Sequence, residues 1–382
     1  MIKKGVSINS SIVLLMFLLS YAMVLSKPLI DFLGQYVLYI FGFLVVFLIC
    51  LNRKMYSKQF LLFAVILISL VMSLMYTQGG IGSAIAFIIP FLFLWGLQSI
   101  SLTSSDEKII RILSMFMVYF LFARSFSYDL NWWYDRDTII NPNTLAQFSV
   151  FAYTYFAAFY NPKKKIRKVL SFVLLIMSIF SCINYSSRGS LGAIIAYMLV
   201  SMLINKINKK QIIIYFIILV VLSTLFPFVY IYLYENNETA TILGKSLFTG
   251  REEIWGALLK KLNENPLNWF LGLGSNVNIG KDVLNVHNTP FSIIVDFGIL
   301  GFILYYCYIL YIIVKLRHYD LKTKKLILGF FSTTIVLGFT EVTTMWPVSV
   351  AMAFCSLGLA IANQNKVSKD NSIQESNMRG YS

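Results

Sequence analysis

Apolar residues in this chain come in long, nearly unbroken runs, with neither the alternation of a half-buried strand nor the single apolar stripe of a water-facing helix. The runs lie near 8–26, 29–51, 59–76, 82–102, 109–125, 143–160, 168–185, 189–204, 211–233, 289–314, 326–341 and 345–362. A helix needs about 20 apolar residues to cross a bilayer core, and a segment that is hydrophobic all round has no face for water. The pattern therefore predicts an all-α polytopic membrane protein of about 12 transmembrane helices. Residues 1–362 form one transmembrane domain, and the polar stretch 363–382 is a disordered cytoplasmic tail. One connection, 234–288, is far longer than the others, and a loop of that length is functional or disordered. Trp255, Trp269, Phe270 and Leu271 among its turn residues point to an ordered cap on the membrane.

Composition and charge agree with this reading. The chain is 58% hydrophobic and 13% charged, against roughly a quarter charged in soluble domains, which excludes a water-soluble globule. Its net charge of +15 is distributed by topology. Counted from a cytoplasmic N-terminus, the cytoplasmic segments hold 22 of the 32 Lys and Arg, in clusters such as Lys163–Lys165, Lys206–Lys210 and Lys315–Lys325. The opposite short connections carry Lys27, Arg136 and Arg188, with Arg124 at a span end. By the positive-inside rule both termini are cytoplasmic and loop 234–288 is on the outer face. The basic excess then answers to anionic lipid and calls for no nucleic-acid partner. Lys3 and Lys4 before the first run resemble the opening of a signal peptide, but no clean cleavage site follows, so the run is read as a span. Cys50, Cys182, Cys307 and Cys355 stand far apart in apolar stretches and read as membrane-core residues.

The candidate chemistry gathers on the outer side. Thr249-Gly-Arg-Glu252 fits a capping box, and Ile254, Trp255, Leu258 and Leu262 share one side of the helix that follows, which Pro266 ends. This reads as an amphipathic helix lying on the outer leaflet. Its N-terminus beside Arg251 suits a phosphate, while pairing of Arg251 with Glu252, Glu253 or a lipid headgroup is the plainer alternative. Arg188, in Ser187-Arg-Gly-Ser190, defies the orientation rule. At depth such a charge costs about 2.5–3.5 kcal/mol, so it either snorkels or has an anionic partner. His287, followed by Asn288, closes the outer loop and is either structural or a general base. His318 falls on the cytoplasmic side and cannot share a metal with it, and no cysteine or carboxylate cluster completes a metal site, so neither metal nor cofactor is expected. Glu341 and Asp296 are intramembrane carboxylates that either orient His287 or Arg188 or satisfy a polar neighbour. Asp135-Arg-Asp137 has the D-x-D form of nucleotide-sugar enzymes but sits where nucleotide sugars are absent.

Taken in order, Asn141-Pro-Asn143, Ser187-Arg-Gly, Gly250-Arg251 with Trp255, Asn265-Pro266, Gly272-x-Gly274, His287-Asn288 and Asp296-Phe-Gly-Ile-Leu-Gly301 resemble the O-antigen ligase and polymerase superfamily over about residues 140–301. The resemblance implies a metal-independent, inverting glycosyltransferase of the GT-C-like, lipid-donor kind. It would work on the outer face of the bacterial cytoplasmic membrane, with donor and acceptor oligosaccharides carried on undecaprenyl diphosphate. Arg188 and Arg251 would neutralise the diphosphate leaving group, and His287 would deprotonate the attacking sugar hydroxyl. Asn288, Trp255, Glu341 and Asp296 stand beside them as expected substrate-binding residues. A flippase and a chain-length regulator are the partners such an enzyme would have. The expected activity is polymerisation of lipid-linked repeat units into O-antigen, capsule or exopolysaccharide. The outer loop is short for a ligase that must receive lipid A core, an analogy at family level only. Ligase of the same superfamily is the alternative. A lipid-linked oligosaccharide flippase or other transporter is the alternative of another class. Against it, the notable charges gather at one face, and no internal repeat is visible.

Overall fold

The computed structural model describes residues 8–25, 28, 29, 32, 40, 57–77, 81–97, 102–127, 140–160, 165–236, 241, 242, 245, 246, 248, 250–274, 277, 286–341 and 352–364. Among these the regular secondary structure is helical apart from one two-residue antiparallel ladder, Thr241–Ile242 against Lys245–Ser246. The helices are α1 (Ile8–Met23), α2 (Ser57–Tyr76), α3 (Ile81–Leu97), α4 (Ser104–Ser125), α5 (Pro142–Phe159), α6 (Lys165–Asn184), α7 (Arg188–Met202), α8 (Lys209–Asn236), α9 (Arg251–Asn263), α10 (Pro266–Leu271), α11 (Thr289–Lys315), α12 (Leu321–Phe330) and α13 (Met352–Gln364). A helix overlaps every apolar run except 29–51, which lies almost wholly outside the described residues.

Local sequence sets where these helices begin. Thr103 caps α4 in a reciprocal box with Asp106, and Asn141 caps α5 with Pro142 in the first turn, where its missing N–H costs nothing. From Leu145 to Phe159 every residue of α5 is buried, so this helix, apolar all round, is the centre of the bundle. It packs against α4, α6, α7 and α12.

At 28 residues α8 is about 42 Å long, longer than the roughly 30 Å hydrocarbon core, and α11 runs 27 residues with a break at Gly298. They are the two described helices long and apolar enough to cross a membrane. Helix α8 buries Phe216, Leu219, Val220 and Tyr230 inward yet leaves Ile214, Ile217, Ile218, Val221, Leu222, Leu225 and Val229 about half exposed on its other face. A helix apolar on both faces has no water-facing side, and so large an apolar exterior fits lipid contact.

The bundle has two chemically distinct ends. At one, lysines bond the terminal carbonyls of neighbouring helices: Lys209 Nζ to Val314 O (2.6 Å) and Leu316 O (2.9 Å), and Lys325 Nζ to Ala157 O (2.9 Å) and Tyr160 O (3.1 Å). Lys322 pairs with Glu107 at 2.7 Å at the same end. Asn363 donates to Asp320 and Thr323, and Gln364 accepts from Arg317 N. Residues 363 and 364, expected to open the tail, belong to α13 and fasten it to the 316–323 segment, and the rest of that expectation, 365–382, lies outside the described residues.

The 234–288 connection holds two helices, and two expectations about it need correction. The N-cap of α9 is Gly250, at φ 82° and without a side-chain cap bond, so Thr249 is not the cap. Entry from the left-handed region, open to glycine, starts the helix one residue later than a Thr249 cap would. Glu252 still accepts from the cap residue's own N–H, at 2.8 Å. The apolar side of α9 also does not face lipid. Trp255, Leu258 and Leu262 are fully buried against Tyr230, Phe291, Ile294 and Val295 of α8 and α11, so protein covers the face expected to enter the leaflet. Asn265 and Pro266 do more than end α9, for Asn265 caps α10 through Leu267 N.

Helix α10 seats itself in a break in α11. Gly298 has φ 67° and ψ −175° inside that helix. A Cβ there would collide with the Phe270 carbonyl of α10, and one on Gly272 would lie 2.6 Å from the Asp296 carbonyl. Backbone meets backbone at this junction, and Ser73 of α2 bridges it by donating to Leu271 O (2.7 Å) and Asp296 O (3.2 Å). The run expected as one span over 326–341 changes helix type, from α12 to a π turn at Phe331–Val336 and a 3-10 turn at Leu337–Phe339. Ser332 and Thr333 turn their hydroxyls onto Ala193 O and Gly329 O, a competition for backbone acceptors that perturbs an α-helix.

Candidate functional site

Two helices open at the end of the bundle opposite the lysine cluster. Tight turns feed both: Ser186 at φ 55° precedes α7, and Gly250 at φ 82° precedes α9. Neither N-cap, Ser187 nor Gly250, supplies a side-chain cap bond, and each helix starts with an arginine, Arg188 or Arg251. Both arginines line one cavity of about 340 Å³, together with Asn143, Trp255, Thr340 and Glu341. Two positive helix ends and two guanidiniums thus share a space large enough for a charged group. Gly189 also lines it, and a Cβ at that position would collide with the Thr340 hydroxyl. The glycine of the Ser187-Arg-Gly segment is what lets α7 lie against the 340–341 strand of chain.

Glu341 is the hub. Its Oε1 accepts from Arg251 Nη2 at 3.3 Å and from Asn143 Nδ2 at 3.2 Å, and its Oε2 lies 3.6 Å from His287 Nδ1. Its backbone is fixed as well, with Glu341 N donating to Leu337 O (3.1 Å) and Glu341 O accepting from Thr289 Oγ1 (2.9 Å). His287 stands beside this carboxylate, one-third exposed and at φ 53°. A non-glycine residue in that region carries local strain, which persists only where neighbours hold it in place. Part of the restraint is Trp255, fully buried, whose indole N–H donates to the carbonyl of the preceding Val286.

The expected site residues are therefore not equivalent in place. Arg188, Arg251, Trp255 and Glu341 line the cavity, and His287 reaches it through Glu341. Asn288 is fully buried and faces backbone: Oδ1 accepts from Phe291 N (2.8 Å), and Nδ2 donates to Ser223 O and Phe339 O, both at 3.1 Å. Asp296 lies about two turns further along α11, where it accepts from Ser292 Oγ at 3.5 Å, so of the two carboxylates only Glu341 meets His287. Asp135 and Asp137 fall outside the described residues, and His318 is at the lysine end. Among the described residues no cluster of His, Cys, Asp or Glu is placed to hold a metal ion.

Sequence reasoning missed Asn143 as a partner of Glu341, and missed Thr340, Phe226 and Tyr230 as cavity walls. Phe226 and Tyr230 flank Pro227 in α8, and with Trp255 they form an aromatic group whose ring centroids lie 5.3–6.0 Å apart. A proline inside an apolar run was the available signal. Asn143 stood out as part of Asn141-Pro-Asn143, though not as a partner of Glu341, and Thr340 gave no signal beyond being polar in an apolar context.

Residues 172–306 match a family model described as O-antigen ligase. That stretch runs from α6 to the middle of α11 and contains Arg188, Arg251, Trp255, His287, Asn288 and Asp296, while Asn143 and Glu341 lie outside it. No curated protein and no solved structure matches the chain.

Proposed function

We propose, from the match of residues 172–306 to the O-antigen ligase family model, that the chain is a glycosyltransferase of the O-antigen ligase and polymerase superfamily acting on lipid-linked oligosaccharides, and within it a repeat-unit polymerase. It transfers a growing glycan from undecaprenyl diphosphate to the non-reducing end of an incoming lipid-linked unit. In this reading the chain has about 12 spans, both termini are cytoplasmic, and the cavity opens on the outer face of the cytoplasmic membrane. The observation that carries the proposal is the shared cavity of Arg188 and Arg251, each at the start of an uncapped helix, with Glu341 linking Arg251 to His287.

The chemistry follows from that arrangement. The donor diphosphate lies between the two guanidiniums and the amides of the two helix starts, which stabilise the negative charge that grows as the anomeric C–O bond breaks. Glu341 Oε2 faces His287 on its Nδ1 side at 3.6 Å, and in this reading Nε2 takes the proton of the attacking sugar hydroxyl. The hydroxyl oxygen bonds to the anomeric carbon, undecaprenyl diphosphate departs, and the single displacement inverts that centre. Phe226, Tyr230 and Trp255 supply an aromatic wall for the sugar face.

The test is His287→Ala in purified, lipid-reconstituted protein given a lipid-linked repeat unit. Chain growth should fall by at least about 100-fold, as for loss of a general base, with insertion and folding unchanged. Normal polymer from this variant would overturn the assignment. Ligase is the second reading, favoured by the description of the matching family. A strain lacking the gene separates the two: single repeat units still delivered to their final acceptor mean polymerase, and long polymer stranded on undecaprenyl diphosphate means ligase.

A further inference from the structure

Helix α8 contains Pro227, and a proline has no N–H to donate to the carbonyl four residues earlier. That carbonyl is Ser223 O, buried inside the bundle, and the side-chain amide of Asn288 donates to it at 3.1 Å. The same nitrogen donates at 3.1 Å to Phe339 O, the last carbonyl of the 3-10 turn, which also has no helical partner. The amide oxygen meanwhile caps α11. One side chain thus fills two gaps, one left by a proline and one by a helix end, and ties three elements together.

The neighbours on either side make this a registration device. His287, Asn288 and Thr289 are consecutive, and they contact the Glu341 carboxylate, the Phe339 carbonyl and the Glu341 carbonyl respectively. Gly338 keeps the two segments close, since a Cβ there would lie 3.1 Å from the Thr289 side chain. The His287–Glu341 contact is set by two straps of chain whose spacing Asn288 fixes from below, with α8 as the third anchor.

We propose that Asn288 is a positioning residue for the reaction: it supplies the donor Pro227 withholds from α8 and so holds the strained His287 against Glu341. This rests on the glycosyltransferase reading above and gives Asn288 a positioning role in place of the substrate contact expected from the sequence. Pro227, otherwise a defect in a long helix, becomes the feature that gives Asn288 a fixed docking point.

Asn288→Ala and Asn288→Ser are measured as reconstituted protein for kcat and KM on a lipid-linked repeat unit, each in the native chain and in Pro227→Ala. Asn288→Ser retains an N-cap oxygen, so α11 still starts properly if the alanine variant fails to fold. The expected result is a fall in kcat of about 10- to 100-fold with KM changed less than about threefold, as for a reacting group displaced by an ångström. In Pro227→Ala the residue 227 N–H satisfies Ser223 O itself. Losing Asn288 there should cost several-fold less than in the native chain, a non-additivity that a purely local cap would not produce. A rise in KM with kcat retained would return Asn288 to substrate contact and overturn the proposal, as would equal losses in both backgrounds. His287→Ala run alongside separates the two levels. If it is inactive while Asn288→Ser is fully active, the positioning role fails and the general-base reading stands; if it is fully active, that reading fails first.

Discussion

At the scale of single residues, the charge balance of the cavity is the informative quantity. Two arginines and one glutamate leave it formally at +1 with neutral histidine, and Arg251 is already committed to Glu341 through one nitrogen, Nη2, at 3.3 Å. A planar guanidinium can keep that bond and still present donors to a phosphate, whereas an ammonium is a point charge that must divide itself. Arg251→Lys is therefore expected to retain folding and lose about tenfold or more in kcat/KM, the worth of one charge-assisted hydrogen bond. Initial rates over a range of lipid-linked donor concentrations check this, and an unchanged kcat/KM would remove Arg251 from phosphate binding. Arg188 was legible in the sequence because charge in an apolar chain is costly and so conspicuous, Arg251 because of the helix-start pattern around it, and His287 because it closes the outer loop. Thr340 was not, because a neutral polar residue in an apolar run leaves no periodic trace, and Asn143 stood out only within Asn141-Pro-Asn143, with nothing to show its partner Glu341. Glu341 was visible as a charge, but its partners lie 54, 90 and 198 positions away, and only the fold brings them together.

At the scale of elements, hydropathy located the helices but not their joints. Runs at 143–160 and 211–233 became α5 and α8 within a few residues, since a fully apolar segment has few other places to go. The apolar side of α9 was misread because lipid and a protein core select the same residues, and only the packing of Trp255 on Tyr230 distinguishes them. The α10–α11 junction was equally hidden: glycines at 272 and 298 are visible, but not that each accommodates the other segment's backbone. Gly298→Ala must adopt a positive φ and clear the Phe270 carbonyl, so it should destabilise the fold by about 2 kcal/mol or more. Gly256→Ala, in α9 with nothing within 4 Å of its Cβ, should instead stabilise by about 0.5–1 kcal/mol through helix propensity. Thermal unfolding of the two variants in the same detergent, followed by tryptophan fluorescence, gives the comparison. Equal midpoints would mean that the backbone contact between α10 and α11 does not hold the fold together.

At the scale of the whole molecule, the two ends of the bundle should face opposite compartments. Lys209, Lys322, Lys324 and Lys325 gather at one end, where Lys209, Lys324 and Lys325 bond helix-terminal carbonyls and Lys322 pairs with Glu107. The carbonyl end of a helix is the negative end of its dipole, so these lysines complete the helices they touch, and the positive-inside rule predicts that their end faces the cytoplasm. Local helix chemistry and global orientation thus favour the same placement, and turning the bundle over would carry the whole cluster across the bilayer. The cavity with Arg188 and Arg251 lies at the other end and must be outside if this holds. Lys260, exposed on α9, and His318, exposed between α11 and α12, report the two ends. With the native cysteines replaced, Lys260→Cys should react with a membrane-impermeant maleimide in intact cells, and His318→Cys only once the membrane is opened. The reverse pattern would put the cavity in the cytoplasm, where a lipid-linked donor already moved to the outer leaflet could not reach it. The polymerase reading would then fail, however well its arginines are placed.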